Sequence, residues 1–150
     1  LLDGEKRMQL CALAFEDQPR VQLCDIELRR KGKSFTVDSV GWLRQQYPQA
    51  QLYLLVGSDM FLSFERWKSW QQILQQVTLC TAARSTGELL QLRRHARQLM
   101  PYGSTLVFDF PVLEVSSTQI RRRLKEGLDC SQLLPEKVYQ QILQQNLYRG

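Results

Sequence analysis

Apolar residues recur along this chain at two spacings, one typical of helices and the other typical of strands. Met8, Cys11, Ala12 and Phe15 occupy positions i, i+3, i+4 and i+7, which predicts that residues 5–16 form a helix with one apolar face. Short runs rich in apolar and strand-forming residues predict strands instead. By this criterion the chain contains four strands, at residues 21–26, 51–56, 77–82 and 104–110.

Helical patterns lie between and after these strands. Ser34-Phe35-Thr36 offers a hydroxyl cap, and Asp38 lies in the first turn of a helix that runs to Tyr47 before Pro48. Strands that alternate with helices in this way predict an α/β domain with a mostly parallel sheet and helices on both faces. The remaining predicted helices lie at residues 58–76 with a break near Ser63, at 88–99, at about ten residues from Ser116 or Ser117, and from Pro135 to Gln145.

The size and composition of the chain indicate one globular domain over residues 1–150. Hydrophobic residues make up 43% of the chain and charged residues 23%, which is ordinary for a soluble protein, and no apolar run approaches a membrane span. The net charge of +5 favours anionic ligands. Four widely spaced cysteines, without a C-x-x-C pair or a neighbouring histidine, indicate a reduced, cytoplasmic protein.

The unusual polar residues follow the ends of predicted strands. Gly57-Ser58-Asp59 follows the second strand, Ala83-Arg84-Ser85 follows the third, and Ser116-Ser117-Thr118 with Arg121 follows the fourth. Open parallel sheets bind ligands outside the carboxyl ends of their strands. We therefore expect these groups to meet at one edge of the sheet.

The stretch V-S-S-T-Q-I-R-R-R-L, residues 115–124, combines a hydroxyl helix cap with three arginines. A helix N-terminus is a ready anion site, and Arg121 rises on the same face as Ser117 and Thr118. The next two arginines point about 100° and 200° around the helix, so only one of the three shares that face. An ordinary serine cap with solvated arginines and a phosphate site both remain open. A nucleic-acid patch is disfavoured because aromatic residues are not interleaved with the basic ones.

Other residues admit both a structural and a functional interpretation. Gly57 and Asp59 form either a plain turn with Asp59 as a helix cap or a close approach to ribose hydroxyls. Trp67 and Trp70 are three residues apart, so one can pack in the core while the other stands near a cleft. His95 is the only histidine and lies in a basic helix, which argues against nucleophilic hydrolase chemistry.

Taken together, four segments of the chain resemble the bacterial nicotinate-nucleotide adenylyltransferases, which are Rossmann-like nucleotidyltransferases. Residues 25–40 resemble the family's E-L-x-R-x-G-x-S-Y-T segment, and residues 54–74 resemble its G-x-D stretch with the following tryptophan. Residues 115–127 match the family's I-S-[SA]-T-x-I-R signature, and residues 133–148 match its C-terminal helix.

This resemblance implies adenylyl transfer from ATP to nicotinic acid mononucleotide, which yields deamido-NAD and pyrophosphate, with Mg²⁺ held through the phosphates. Ser117, Thr118 and Arg121 would then hold the ATP phosphates, with Thr118 and Arg121 closest to the chemistry. Arg84 matches an arginine after the family's corresponding strand, although the usual R-P-G reads R-S-T-G here. Small-molecule substrates are thus expected as partners, rather than nucleic acid or a membrane.

The same resemblance assigns the nucleotide contacts. Gly57 and Asp59 would border the nucleotides, and Trp67 would stack on the pyridine ring. The backbone N–H of Lys68 and the region of Thr36 would receive the nicotinate carboxylate. The family often has an aromatic residue at the position of Lys68, where a lysine would add attraction for a carboxylate.

One part of the family pattern is not found. The family's first strand carries H-x-G-H, whereas His95 has no such neighbour, so the N-terminal strands of the fold are expected to be missing and these 150 residues alone are not expected to catalyse the reaction. A degenerate nucleotide-binding module is one alternative. Phosphopantetheine adenylyltransferase is another, although the segment around Trp67 disfavours it. The sequence leaves the oligomeric state open, a homo-oligomer included.

Overall fold

In this computed structural model, the described residues are 2–83, 85–109 and 115–148, and they form two compact units. Unit A comprises the described residues of Leu1–Arg29 and Val115–Gly150, and unit B comprises those of Arg30–Glu114. In chain order the elements are α1 (Gly4–Phe15), α2 (Ile26–Arg29), α3 (Thr36–Gln46), β1 (Tyr53–Leu55), α4 (Ser58–Leu62), a 3-10 helix (Phe64–Arg66), α5 (Trp70–Leu74), β2 (Thr78–Ala82), α6 (Thr86–Leu99), β3 (Thr105–Phe108), α7 (Ser117–Lys125) and α8 (Glu136–Gln144).

The described strands form a parallel sheet in the order β1-β2-β3. Leu54 of β1 pairs in register with Leu79 of β2, and Cys80 of β2 pairs with Leu106 of β3. Parallel neighbours require crossover connections, and helices of unit B supply both of them. The predicted α/β class and parallel sheet are therefore confirmed, although the predicted end of β3 at residue 110 lies outside the described residues.

The core of unit B lies where helices pack on one face of the sheet. Phe61 and Phe64, which lie next to β1 in the chain, are fully buried with Leu79 of β2 and with Leu92 and Leu99 of α6. Burying five such side chains contributes roughly 1.5–3 kcal/mol each. The core therefore fixes α4, the 3-10 helix and α6 against the strands that end at the candidate site.

The opposite face of the sheet shows a different burial pattern. Tyr53 and Leu55 project from this face because side chains alternate along a strand, and they are 56% and 70% exposed. Leu106 and Phe108 share the face by register and are also exposed. Within the described part of unit B, this face is thus the more open of the two.

Unit A contains α1, α2, α7 and α8. Its buried residues come mainly from α7, from α8 and from the loop between them, and Lys137 of α8 donates to the Glu16 carboxylate at 2.7 Å just beyond α1. Gly127 follows α7 with a φ of +70°, which is the left-handed conformation that commonly ends a helix. The buried cluster is Leu124, Cys130, Val138, Ile142 and Leu147.

The strand predicted at residues 21–26 is wrong. Residues 21–25 have no regular structure, and Ile26 begins α2. Val21 and Leu23 are exposed, and no described strand pairs with this segment. A strand is stabilised by hydrogen bonds to a neighbour, so alternation of side chains does not suffice without one.

Two predicted helix features also need correction. The helix expected over residues 58–76 is three short helices, and Ser69, at a φ of 53°, separates the 3-10 helix from α5. Trp67 and Trp70 therefore do not share one continuous helix. The N-cap of α3 is Phe35, which makes no side-chain cap hydrogen bond, rather than a hydroxyl residue.

None of the helices in the described ranges is both long and apolar enough to cross a membrane.

Candidate functional site

The carboxyl end of β1 leads directly into the first candidate residues. Gly57 is the N-cap of α4, and Asp59 lies exposed in the first turn of that helix. The alternative in which Asp59 caps this helix is therefore wrong, because the cap position belongs to Gly57. The placement of both residues at a strand end is as predicted, and it leaves the Asp59 carboxylate on the surface.

Three of the predicted residues line one cavity in unit B. This cavity has a volume of about 260 Å³ and lies between the start of α3 and the turn after the 3-10 helix. Its lining residues are Ser34, Phe35, Thr36, Arg66, Trp67, Lys68 and Ile73. The structure thus brings Thr36, Trp67 and Lys68 together, although Thr36 is distant from the other two in the chain.

The indole of Trp67 is a fixed wall of this cavity. Its ring centroid lies 5.3 Å from that of the fully buried Phe64, and its backbone N–H donates to the Phe64 carbonyl at 2.9 Å. Trp67 itself is half-buried, so part of its ring is anchored while part is open. An aromatic face held in this way can stack on a flat ligand ring.

The turn after Trp67 presents a backbone donor beside that wall. The Trp67 carbonyl accepts from the Trp70 N–H at 3.3 Å, which closes a turn through Lys68 and the left-handed Ser69. Among the described residues, the backbone N–H of Lys68 donates to no other backbone group. This turn therefore presents an N–H group that can bind a carboxylate oxygen.

A guanidinium holds the end of α3 in place. Arg44 donates to the Gln76 carbonyl at 2.6 Å and to the Ala50 carbonyl at 2.7 Å. These bonds tie the last turn of α3 to the segments before β1 and β2. Because α3 begins at the cavity wall, this clamp helps to fix the position of Thr36.

The electrostatic character of the cavity is positive. Arg66 and Lys68 are cationic, and no acidic residue is among the seven that line it. The nearby carboxylate of Glu65 lies 3.3 Å from Nε2 of His95. The two atoms are close but do not form an aligned hydrogen bond, since His95 Nε2 has no hydrogen-bond partner among the described residues.

The N-terminus of α7 carries the other predicted group, in unit A. Ser116 is the N-cap, and its hydroxyl accepts from the Gln119 N–H at 3.1 Å. Arg121 donates to the Thr118 hydroxyl at 3.3 Å, so these two side chains share one face as predicted. The first turn contains no acidic residue, and the positive end of the helix dipole therefore remains available to an anion.

The other two arginines of the triplet point elsewhere, as helical geometry predicts. Arg122 lies 3.9 Å from the Glu126 carboxylate, and Arg123 donates to the Asp129 carbonyl at 2.8 Å. Ser117 and Arg121 instead line a cavity of about 160 Å³ whose other walls are mainly apolar. Ser117, Thr118 and Arg121 thus form a compact set, whereas Arg84 lies outside the described residues.

The sequence did not identify Phe35 and Arg66 as site residues, yet both line the unit B cavity. The feature of the sequence that could have pointed to them is that Phe35 precedes Thr36 and Arg66 precedes Trp67. A larger cavity, of about 610 Å³, lies at the start of the strands beside Thr78 and Thr105. That is the edge opposite the one at which parallel sheets bind ligands, so we do not assign it to the site.

Comparison with known proteins identifies the family of this chain. The family model described as cytidylyltransferase-like matches residues 1–123, which is most of the chain. The nicotinic acid mononucleotide adenylyltransferase of Plasmodium falciparum, solved in complex with APC, superimposes with a TM-score of 0.75 at 16% identity. The match covers 99% of this chain and 77% of that one, which establishes the fold. The chain belongs to the cytidylyltransferase-like family of nucleotidyltransferases.

Curated relatives narrow this assignment. The probable nicotinate-nucleotide adenylyltransferase of Desulfitobacterium hafniense (strain Y51) is 35% identical, over 95% of this chain and 70% of its own length. The probable nicotinate-nucleotide adenylyltransferase of Flavobacterium johnsoniae is 32% identical, over 99% of this chain and 75% of its own length. Within its family, the chain therefore groups with the nicotinate-nucleotide adenylyltransferases.

Proposed function

We propose that this protein transfers the adenylyl group of ATP to nicotinic acid mononucleotide, which forms deamido-NAD and pyrophosphate in NAD biosynthesis. The observation that carries the proposal is its relationship to nicotinate-nucleotide adenylyltransferases, at 35% identity over 95% of the chain. The cavity of unit B, with its aromatic wall and two cations, supports a ligand that joins a flat ring to an anion. The capped start of α7 supports a phosphate ligand.

The reaction is an in-line displacement at phosphorus. A phosphate oxygen of the mononucleotide bonds to the α-phosphorus of ATP, and the bond from that phosphorus to the β-phosphate bridging oxygen breaks. Pyrophosphate leaves with the electron pair. No protein nucleophile is needed, so catalysis rests on positioning and on stabilisation of the charge that develops on the phosphates.

The residues of α7 would hold the ATP phosphates. The Ser117 and Thr118 side chains and the first-turn N–H groups are hydrogen-bond donors, and Arg121 is a permanent cation on the same face. Arg121 would neutralise charge on the phosphates as pyrophosphate leaves, and Arg84 would add a second cation. This is why we assign Thr118 and Arg121 as catalytic and Ser117 and Arg84 as binding residues.

The cavity of unit B would hold the pyridine ring. Trp67 would stack on the ring, while the Lys68 N–H and Thr36 would bind its carboxylate. Gly57 and Asp59, at the end of β1, would border the nucleotides, with Asp59 accepting from ribose hydroxyls. Each of these contacts uses a group that the ligand chemistry requires: a flat face, an N–H donor and a carboxylate acceptor.

Mg²⁺ would enter with the phosphates and neutralise part of their charge. Within the described ranges, no group of three His, Cys, Asp or Glu side chains could hold a metal ion. A metal carried mainly by substrate phosphates and water, as Mg²⁺ often is, fits such a site. We also propose a cytoplasmic location, which the four free cysteines support.

A substrate panel tests the proposed function. The protein, expressed from its complete reading frame, is incubated with ATP and Mg²⁺ and with one of three acceptors: nicotinic acid mononucleotide, nicotinamide mononucleotide or phosphopantetheine. We expect pyrophosphate release and a dinucleotide product, measured by chromatography, to be fastest with nicotinic acid mononucleotide. Faster turnover of phosphopantetheine, or binding of nucleotides without any product, would contradict the proposal.

A further inference from the structure

The side chain of Lys68 is held at the cavity by an aromatic ring from another element. Its ammonium nitrogen lies 4.2 Å from the centroid of the Phe35 ring, which is within the range of a cation–π interaction. Phe35 is the N-cap of α3, whereas Lys68 lies in the turn before α5. Lys68 is exposed, so without this contact its long side chain would sample many positions.

The residues that line the cavity offer Lys68 no acidic partner. None of the seven residues that line the cavity is acidic, and Glu65, which adjoins the cavity in sequence, lies against His95 instead. Arg66 adds a second cation to the same lining. An anion that entered this cavity would therefore meet two cations and no carboxylate among the lining side chains.

The hydrogen-bonding groups of the turn also distinguish two ligands of nearly the same shape. The Lys68 backbone N–H and its ammonium group are both donors. A ring carboxylate accepts with both oxygens, whereas a ring carboxamide offers one acceptor oxygen and one NH₂ donor. Bound in the same orientation, the carboxamide would place its NH₂ against a donor and would lack the charge that the ammonium attracts.

We propose that the Phe35–Lys68 pair makes this cavity select a pyridine carboxylate over the corresponding carboxamide. The inference rests on the proposed function, because it takes the unit B cavity as the site of the pyridine ring. Lys68 is the specificity-determining residue, through its side chain as well as its backbone N–H. Phe35 is a positioning residue, which acts by holding the ammonium over the cavity.

Binding measurements on four variants test this pair. Isothermal titration calorimetry on the protein from its complete reading frame gives the Kd for nicotinic acid mononucleotide and for nicotinamide mononucleotide. Lys68→Met should weaken binding of the acid by about tenfold, the size of one charge-assisted hydrogen bond, and leave the amide nearly unchanged. Lys68→Arg keeps the cation and should retain the preference. Phe35→Leu should weaken binding of the acid alone, by about threefold.

Lys31→Met is the matched control. Lys31 is an exposed lysine of the same unit that does not line the cavity, so this variant removes the same net charge without touching the site. It should leave both Kd values unchanged.

The salt dependence of binding gives a second test. The preference of the unmodified protein for the acid over the amide should shrink as the salt concentration rises from about 50 mM to about 500 mM, because Lys68 is exposed and its charge is screened.

The outcomes separate this inference from the function on which it rests. If the protein forms deamido-NAD but Lys68→Met leaves the ratio of the two Kd values unaltered, the selectivity inference is overturned and the function stands. An equal loss of affinity for the acid and the amide would also overturn the selectivity inference, because that result indicates a packing role for Lys68 rather than a charge role. If neither mononucleotide binds, both proposals are overturned together.

Discussion

The arginine triplet of α7 provides a sharp prediction, because three consecutive identical side chains have three different environments. Arg121 donates to Thr118 at the face assigned to phosphate binding, Arg122 faces an exposed glutamate, and Arg123 donates to a backbone carbonyl. Replacing each arginine by methionine removes the charge and keeps an unbranched side chain with good helix propensity. We therefore expect one loss of activity, one neutral change and one loss of stability.

Arg121→Met should lower kcat/KM for ATP by roughly 10²–10³-fold, the usual effect of removing one donor that stabilises transition-state charge. Its effect on stability should be small, within about 0.5 kcal/mol, because the bond to Thr118 is long, at 3.3 Å, and exposed. The loss should therefore appear in the rate of pyrophosphate release and not in the thermal unfolding curve.

Arg122→Met should change neither kcat/KM for ATP nor the stability of the fold. Its partner Glu126 is 3.9 Å away, and the two side chains are 73% and 52% exposed, so the ion pair contributes about 0–1 kcal/mol at most. This variant is the matched control for Arg121, since it removes the same charge from the adjacent position of the same helix.

Arg123→Met should lower stability while leaving kcat/KM nearly unchanged. The 2.8 Å bond to the Asp129 carbonyl fixes the loop after α7, and its removal should cost about 1 kcal/mol. For a chain of 150 residues, that corresponds to a decrease in Tm of roughly 2–4 °C. Equal loss of activity in all three variants, or an unchanged rate for Arg121→Met, would refute the assignment of Arg121 alone to the phosphate site.

The remaining predictions concern stability and thiol chemistry. Gly103→Ala should lower the unfolding free energy by about 1–3 kcal/mol in denaturant titrations, because the new Cβ would clash with the Leu74 carbonyl oxygen; unchanged stability would contradict this packing. The Ser131 backbone N–H and hydroxyl hold the pKa of Asp129 below its usual value. The Asp129 carboxylate should thus stabilise the fold above its unfolded-state pKa, and this contribution should be lost as pH falls through the lower folded-state pKa. Asp129→Asn should therefore flatten the decline in Tm on the acid side. An unaltered dependence of Tm on pH would contradict this prediction. Burial raises the pKa of the Cys80 thiol, so mass spectrometry after brief iodoacetamide treatment should find it less alkylated than the exposed thiols, Cys11 and Cys24.

Several features of the fold could be predicted because they depend on residues close together in the chain. The apolar runs at 51–56 and 77–82 predict strands, and β1 and β2 lie within them. The expectation that the first of these strands is buried is wrong, because Tyr53 and Leu55 of β1 are exposed, whereas β2 is buried along most of its length. The serine cap and the periodicity of the following helix likewise suffice to place Arg121 beside Thr118. Residues that form a helix turn or a strand specify it largely through their own spacing.

Other features depend on contacts between distant parts of the chain. The alternating segment at 21–25 is not a strand in the structure, because a strand also needs a neighbour with which to exchange backbone hydrogen bonds. The helix predicted through Trp67 is interrupted because Ser69 adopts a left-handed conformation. The identity of a serine residue does not predict that conformation.

The site shows the same division. The order of residues alone specified which chemical groups follow the strands and which arginine faces Thr118, because helix and strand periodicity fix those relations locally. Tertiary packing was needed to place the Phe35 ring under the Lys68 ammonium and to turn Glu65 toward His95. Those contacts join elements far apart in the chain, and the packing of α3 and α6 around one core decides them.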